Sequence, residues 1–176
     1  MKRRISVLLA LFLAVSAFAL PGATAKQAIG TSDDNLVTTA LAVNEATNDF
    51  DVLIKAVVQA GLAETLAEGG TFAVFAPTDA AFEALLGADE TAILSLLDDA
   101  SVAESLIPVL LYHVAPLDAD YDKLVRGRVG MVSGDVLKVT RTQLKDATGG
   151  KAKILAGPVF ASNGYIMVID KVVIPG

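Results

Sequence analysis

Thr71-Phe72-Ala73-Val74-Phe75-Ala76-Pro77-Thr78-Asp79-Ala80-Ala81-Phe82 changes backbone period within a single short stretch. Thr71 to Ala76 is rich in aromatic and β-branched side chains and reads as a buried strand. Pro77, with no N–H to give to a ladder, stops it. Thr78 or Asp79 then caps a helix running through Leu86. A strand that delivers Phe72, Val74 and Phe75 to a core, followed by a helix that returns Phe82, Leu85 and Leu86 to it, opens an α+β arrangement.

Upstream of this stretch the pattern is helical from Asn35. Phe50, Leu53, Ile54, Val57 and Val58 recur at i, i+3, i+4, i+7 and i+8, one apolar face, with Gly61 placed as a C′ glycine. A short helical turn, Leu62 to Ala67, ends at Gly69-Gly70. Downstream, Asp89 caps a helix with Ile93, Leu94 and Leu97 on one face. Ser101 with Glu104 has capping-box spacing, and Pro108 predicts a break or kink in that third segment. After Pro116 come the acidic residues Asp118, Asp120 and Asp122. Short β-rich pieces follow: Val129 to Val132, Val136 to Thr140, Lys153 to Leu155, Val159 to Ala161 and Tyr165 to Ile169. Lys145 to Lys151, with Gly149-Gly150 inside, reads as a loop. Asn163-Gly164 reads as the centre of a type I′ hairpin turn, which needs positive φ at both positions. Helices thus precede strands around one core.

The chain ahead of the helices has the pattern of an export signal. Lys2, Arg3 and Arg4 precede an apolar run from Ile5 to Leu20, Pro21-Gly22 ends it, and Ala23-Thr24-Ala25 has the small-x-small form of a cleavage site. The run is shorter than the roughly 20 apolar residues that span a bilayer. Residues 1–25 are expected to be a signal peptide, 26–34 a flexible segment and 35–176 a single domain. No transmembrane segment is expected after cleavage, and the location is extracytoplasmic, either periplasmic or secreted. Residues 26–176 carry 11 Lys plus Arg against 20 Asp plus Glu, a formal charge of −9. No basic run is present to hold nucleic acid or an anionic lipid surface. The absence of cysteine excludes disulfides, thiolate metal sites and anchoring through a lipidated cysteine. An apolar core must therefore hold the fold.

Two blocks carry a resemblance. Thr71 to Phe82 is similar to the first signature of the fasciclin domain family. Ala161-Ser162-Asn163-Gly164-Tyr165-Ile166-Met167-Val168-Ile169-Asp170-Lys171-Val172-Val173-Ile174-Pro175 resembles the second. Between them Leu111-Tyr112-His113-Val114 matches the family's Tyr-His element, and Asn35 to Gly61 its opening helices. The resemblance covers about residues 32–175. It implies a wedge-like, twisted β-sandwich with helices packed around one side. It also implies a binding or adhesion module for a cell-surface, envelope or matrix protein or polysaccharide, with no cofactor. Phe75, Pro77, Thr78, Asp79, Phe82, Asn163, Gly164 and Asp170 are its structural signature residues, and Tyr112 and His113 its candidate binding residues. The sequence departs from the family pattern at Leu117, at Met167, where a histidine is common, and between Lys145 and Lys151.

Chemistry-bearing motifs are sparse. His113 is the single histidine, and a lone histidine is commonly structural. A rival reading is an extracytoplasmic small-molecule binder or hydrolase with a pocket near His113. No Gly-x-Ser-x-Gly elbow is present, and Ser133-Gly134 lacks its flanks. One histidine without cysteine is a poor zinc set. The Asp118, Asp120 and Asp122 alternation lacks the glycine and distal glutamate of a calcium loop. No phosphate-binding glycine loop occurs.

Overall fold

The computed structural model describes residues 34–117 and 127–176. The expected signal peptide, nearly all of the 26–34 segment and the acidic loop around Asp120 lie outside the described residues.

Six helices are described: α1 (Leu36–Thr47), α2 (Asp51–Gln59), α3 (Ala63–Glu68), α4 (Asp79–Leu86), α5 (Glu90–Leu96) and α6 (Ala100–Leu111). Seven strands accompany them: β1 (Phe72–Pro77), β2 (Val114–Pro116), β3 (Gly127–Gly130), β4 (Val136–Val139), β5 (Gln143–Lys145), β6 (Lys151–Ala161) and β7 (Gly164–Ile169). The strand order is β2-β1-β7-β6-β5-β4-β3. Only β1 and β7 run parallel; every other pair is antiparallel. The long β6 pairs with β7 along one half and with β5 along the other, so the sheet turns back over itself. Just beyond β3, the Val132 N–H donates to the Val114 carbonyl of β2 (2.8 Å), nearly closing it. This is the expected α+β architecture.

Strand alternation makes two cores on either side of β1 and β7. Ala76, Ile166 and Val168 pack against the helices with Phe50, Leu53, Phe82, Ile93 and Leu97. Ala73, Phe75, Tyr165, Met167 and Ile169 face the interior of the turned sheet with Leu137, Val139 and Leu144. Phe72 and Val74 therefore point away from Phe75, and the single core expected for this strand is two. Phe82 is buried, but Leu85 and Leu86 are exposed, as is Val58 on α2. The apolar periodicity overstates how far each helix face is covered.

Several ends differ from expectation. Thr78 holds the N-cap position of α4 but makes no side-chain capping bond. Asp99, not Ser101, caps α6, accepting from the Ser101 N–H at 2.9 Å and its hydroxyl at 2.6 Å. α6 continues through Pro108 to Leu111. The carbonyl that Pro108 leaves without its usual donor belongs to exposed Glu104, on a face that water reaches. The two pieces at Lys153 to Leu155 and Val159 to Ala161 are one strand, β6, with register shifts between Ile154 and Val159 around the cis Gly157-Pro158 bond. β5 is an additional strand. The last hairpin is not a type I′ turn on Asn163-Gly164. Its two loop residues are Ser162 and Asn163, Gly164 already pairs with Ala161, and Asn163 does not have positive φ. Gly164 is needed for another reason. At φ +152° it lies against β1, and a Cβ there would run into the Phe72 carbonyl.

Candidate functional site

The signature residues act where elements meet. Asp79 opens α4, yet its carboxylate turns to α2, whose N-cap, Phe50, offers no capping side chain. Oδ2 accepts from the Asp51 N–H (3.1 Å) and Oδ1 from the Val52 N–H (2.9 Å), while the Asp79 N–H donates to the Asp49 carbonyl (2.8 Å). One buried carboxylate thus satisfies two otherwise unpaired donors of another helix. Burial pushes its pKa up, against the pull of those two bonds. Asp51, Asp79 and Glu90 each bring a carboxylate oxygen within 4.8 Å of the others. Both Asp79 oxygens already serve α2, so the trio reads as a helix-end junction.

Asn163 ties three segments. Its Oδ1 accepts from the Leu36 N–H at the start of α1 (2.8 Å), and its Nδ2 donates to the Leu66 and Ala67 carbonyls of α3 (2.8 and 3.1 Å). Asp170 extends the β6–β7 pairing: Oδ1 accepts from the Lys153 N–H (2.6 Å) and its own N–H donates to the Lys153 carbonyl (3.1 Å). Phe75 and Pro77 are fully buried in β1, and Pro77 is the last strand residue, in register with Ile169.

Tyr112 and His113 follow α6 and are both buried, at 0% and 2% exposure. His113 Nδ1 lies 2.7 Å from the Val109 carbonyl, and Nε2 accepts from the Val173 N–H at 3.1 Å. These partners define a neutral ring with the proton on Nδ1. Burial lowers its pKa to about 4. The Tyr112 hydroxyl donates to the Val136 carbonyl (3.2 Å) and accepts from the Ala147 N–H (3.1 Å). Burial is also the main cause that raises the pKa of this phenol. The Lys145 to Lys151 segment, which has no family pattern, is a side-chain-closed turn. Asp146 Oδ1 accepts from the Gly150 N–H (2.7 Å) and the Thr148 hydroxyl (2.8 Å), and Oδ2 from the Ile174 N–H (3.4 Å). His113 and Asp146 thus both hold the C-terminal segment.

A cavity of about 70 Å³ lies between α1, α2 and the helix-facing side of the sheet. Leu36, Ile54, Val57, Val74 and Ile166 help to line it, and Leu41 and Val58, both exposed, belong to the same lining. Among the described residues His113 is its one ionisable neighbour, and both ring nitrogens are engaged elsewhere. No nucleophile among the described residues lines the cavity. Asp146 was absent from the sequence-based expectations, which gave only a loop from Lys145 to Lys151, whereas the cavity, with His113 in its lining, lies where the rival reading expected a pocket. An Asp-x-Thr-Gly-Gly run is a legible turn signal in retrospect, whereas the cavity has no local signature.

The helix-covered, nearly closed mixed sheet and its polar ties define an α+β domain class. The fasciclin domain family matches residues 48–175, and the chain belongs to that family. Protein sll1483 of Synechocystis sp. is 38% identical over 129 residues, 72% of this chain and 67% of that protein. Transforming growth factor-beta-induced protein ig-h3 of Sus scrofa is 32% identical over 143 residues, which is 78% of this chain but only 19% of that longer protein. A solved FAS1 domain pair from the insect cell adhesion molecule Fasciclin I superposes with a TM-score of 0.61 at 16% identity. That match covers 81% of this chain and 51% of the other, and it shows the shared fold.

Proposed function

We propose that the protein is an exported, non-catalytic adhesion module that recognises a cell-surface, envelope or matrix protein or polysaccharide. One observation carries this reading: the side chains of the signature residues Asp79, Asn163 and Asp170 are engaged in bonds that hold the fold together. The single histidine is neutral and clamped, with no nucleophile among its hydrogen-bond partners. Recognition is then left to the outer surface. Tyr112 and His113 act as internal braces, and their effect on adhesion runs through stability. Fasciclin I is described as a cell adhesion molecule, and the N-terminal pattern of this chain fits export. Among the described residues no helix is long and apolar enough to cross a membrane.

Equilibrium binding of the purified protein to envelope and matrix fractions of its source tests this. Saturable binding that unlabelled protein competes is expected, with modest affinity for a monomer because adhesive strength commonly comes from multivalency. Folded protein without saturable binding would overturn it. The cavity favours a second reading, uptake of a small apolar molecule. Its hydrocarbon walls offer a polar ligand no partner. Saturable enhancement of a fluorescent hydrocarbon probe, lost when Val57→Trp fills the space, would support that reading over the first.

A further inference from the structure

Charge in this protein is divided between its two layers. Residues 34–117 hold thirteen acidic residues and one basic, whereas residues 127–176 hold three acidic and seven basic. Folding concentrates the second group further. Arg128 lies directly opposite Lys138, Lys138 opposite Lys145, and Lys145 opposite Lys151, so β3 to β6 each contribute one cation to a single row. Lys153 stands beside it, opposite Gln143. All five basic residues are exposed, while the alternate positions Val129, Leu137, Val139, Leu144 and Ala152 are buried. The row therefore runs along the outer face. The ion pair found among the described residues, Lys55 with Asp98, is elsewhere.

Like charges directly opposite one another on adjacent strands oppose sheet formation. Three such pairs in succession have no structural benefit, and Thr or Gln at these positions would serve the strands better. We infer that this row is a binding site for an acidic polysaccharide strand, which deepens and rests on the adhesion reading. Three inter-strand spacings make the row about 14 Å long, and one side chain wide. A single thin polyanion can follow it. The same protein repels a broad anionic surface, because the helical layer and the net charge are strongly negative. No aromatic side chain is exposed among the described residues to stack a base. The neighbouring Thr142 and Gln143 are exposed and supply hydroxyl and amide groups suited to sugar hydroxyls.

The test is binding of purified full-length protein to alginate oligomers, with single-stranded DNA and phosphatidylserine vesicles as competitors. Saturable alginate binding is expected, weakening at least about tenfold between about 50 and 200 mM salt. The triple variant Lys138→Gln, Lys145→Gln, Lys151→Gln should lose at least about tenfold in affinity while its Tm stays unchanged or rises. Lys55→Gln, in the acidic layer, should bind as the parent does. Equal binding by the triple variant, or tighter binding to DNA or vesicles, would overturn the inference. If the triple variant still binds envelope fractions normally, the row falls and the adhesion reading stands. If the parent binds alginate but no fraction, the adhesion reading falls instead.

Discussion

His113 shows how much one side chain can hold. It joins the end of α6 to the C-terminal segment through two hydrogen bonds, and it can do so only while neutral. The unfolded chain protonates this ring near pH 6.5, the folded protein only near 4. Between those values the unfolded state binds more protons, so stability is full above pH 6.5 and falls as the pH drops towards 4. The loss is on the order of 3 kcal/mol. Denaturant titrations across this range should show the slope in the parent and not in His113→Ala, which should itself be destabilised by about 2–4 kcal/mol at pH 7. Asp79 works in the opposite sense, because its raised pKa lets the folded state hold a proton longer in acid. Asp79→Ala should leave two N–H groups of α2 unpaired and cost about 2–4 kcal/mol, with Asp79→Asn intermediate, as urea midpoints will read.

At the scale of elements, α6 and the last hairpin show where local rules yield. Pro108 interrupts the bonding of α6 without ending it, since the carbonyl it leaves without a donor belongs to exposed Glu104 in the preceding turn. Restoring the donor with Pro108→Ala should raise stability by about 1 kcal/mol or more, seen as a higher Tm without change in helix boundaries. The hairpin was legible as a hairpin from Asn163-Gly164, but the reason differs. The asparagine is spent on α1 and α3, and the glycine on the close approach of Phe72. Turn propensity describes the two strands that the turn joins, and both residues here answer to a third element. Asp79 is the same case, an expected cap that serves a different helix from the one it begins.

For the whole molecule, the double burial of β1 and β7 and the cavity under α1 and α2 predict uneven protection. Amides of Ala73, Phe75 and Ile166 to Ile169 lie between two cores and should exchange slowest, near the rate set by global unfolding. Amides of α1, beside the cavity, should exchange faster; hydrogen exchange followed by mass spectrometry resolves the two groups. Residues 71–82 and 161–175 were enough, as sequence, to point to the fold family. Local periodicity, capping residues, glycine and proline along the rest of the chain located most helices and several strands, though not β2, β5 or the cap of α6. The layer that each apolar residue joins, the partners of Asp79, His113 and Asn163, the hydrocarbon cavity and the cationic row were decided only by tertiary structure. Each depends on residues far apart in the chain. Arg128, Lys138, Lys145 and Lys151 form no run in sequence, and they become neighbours only because sheet register places one beside the next.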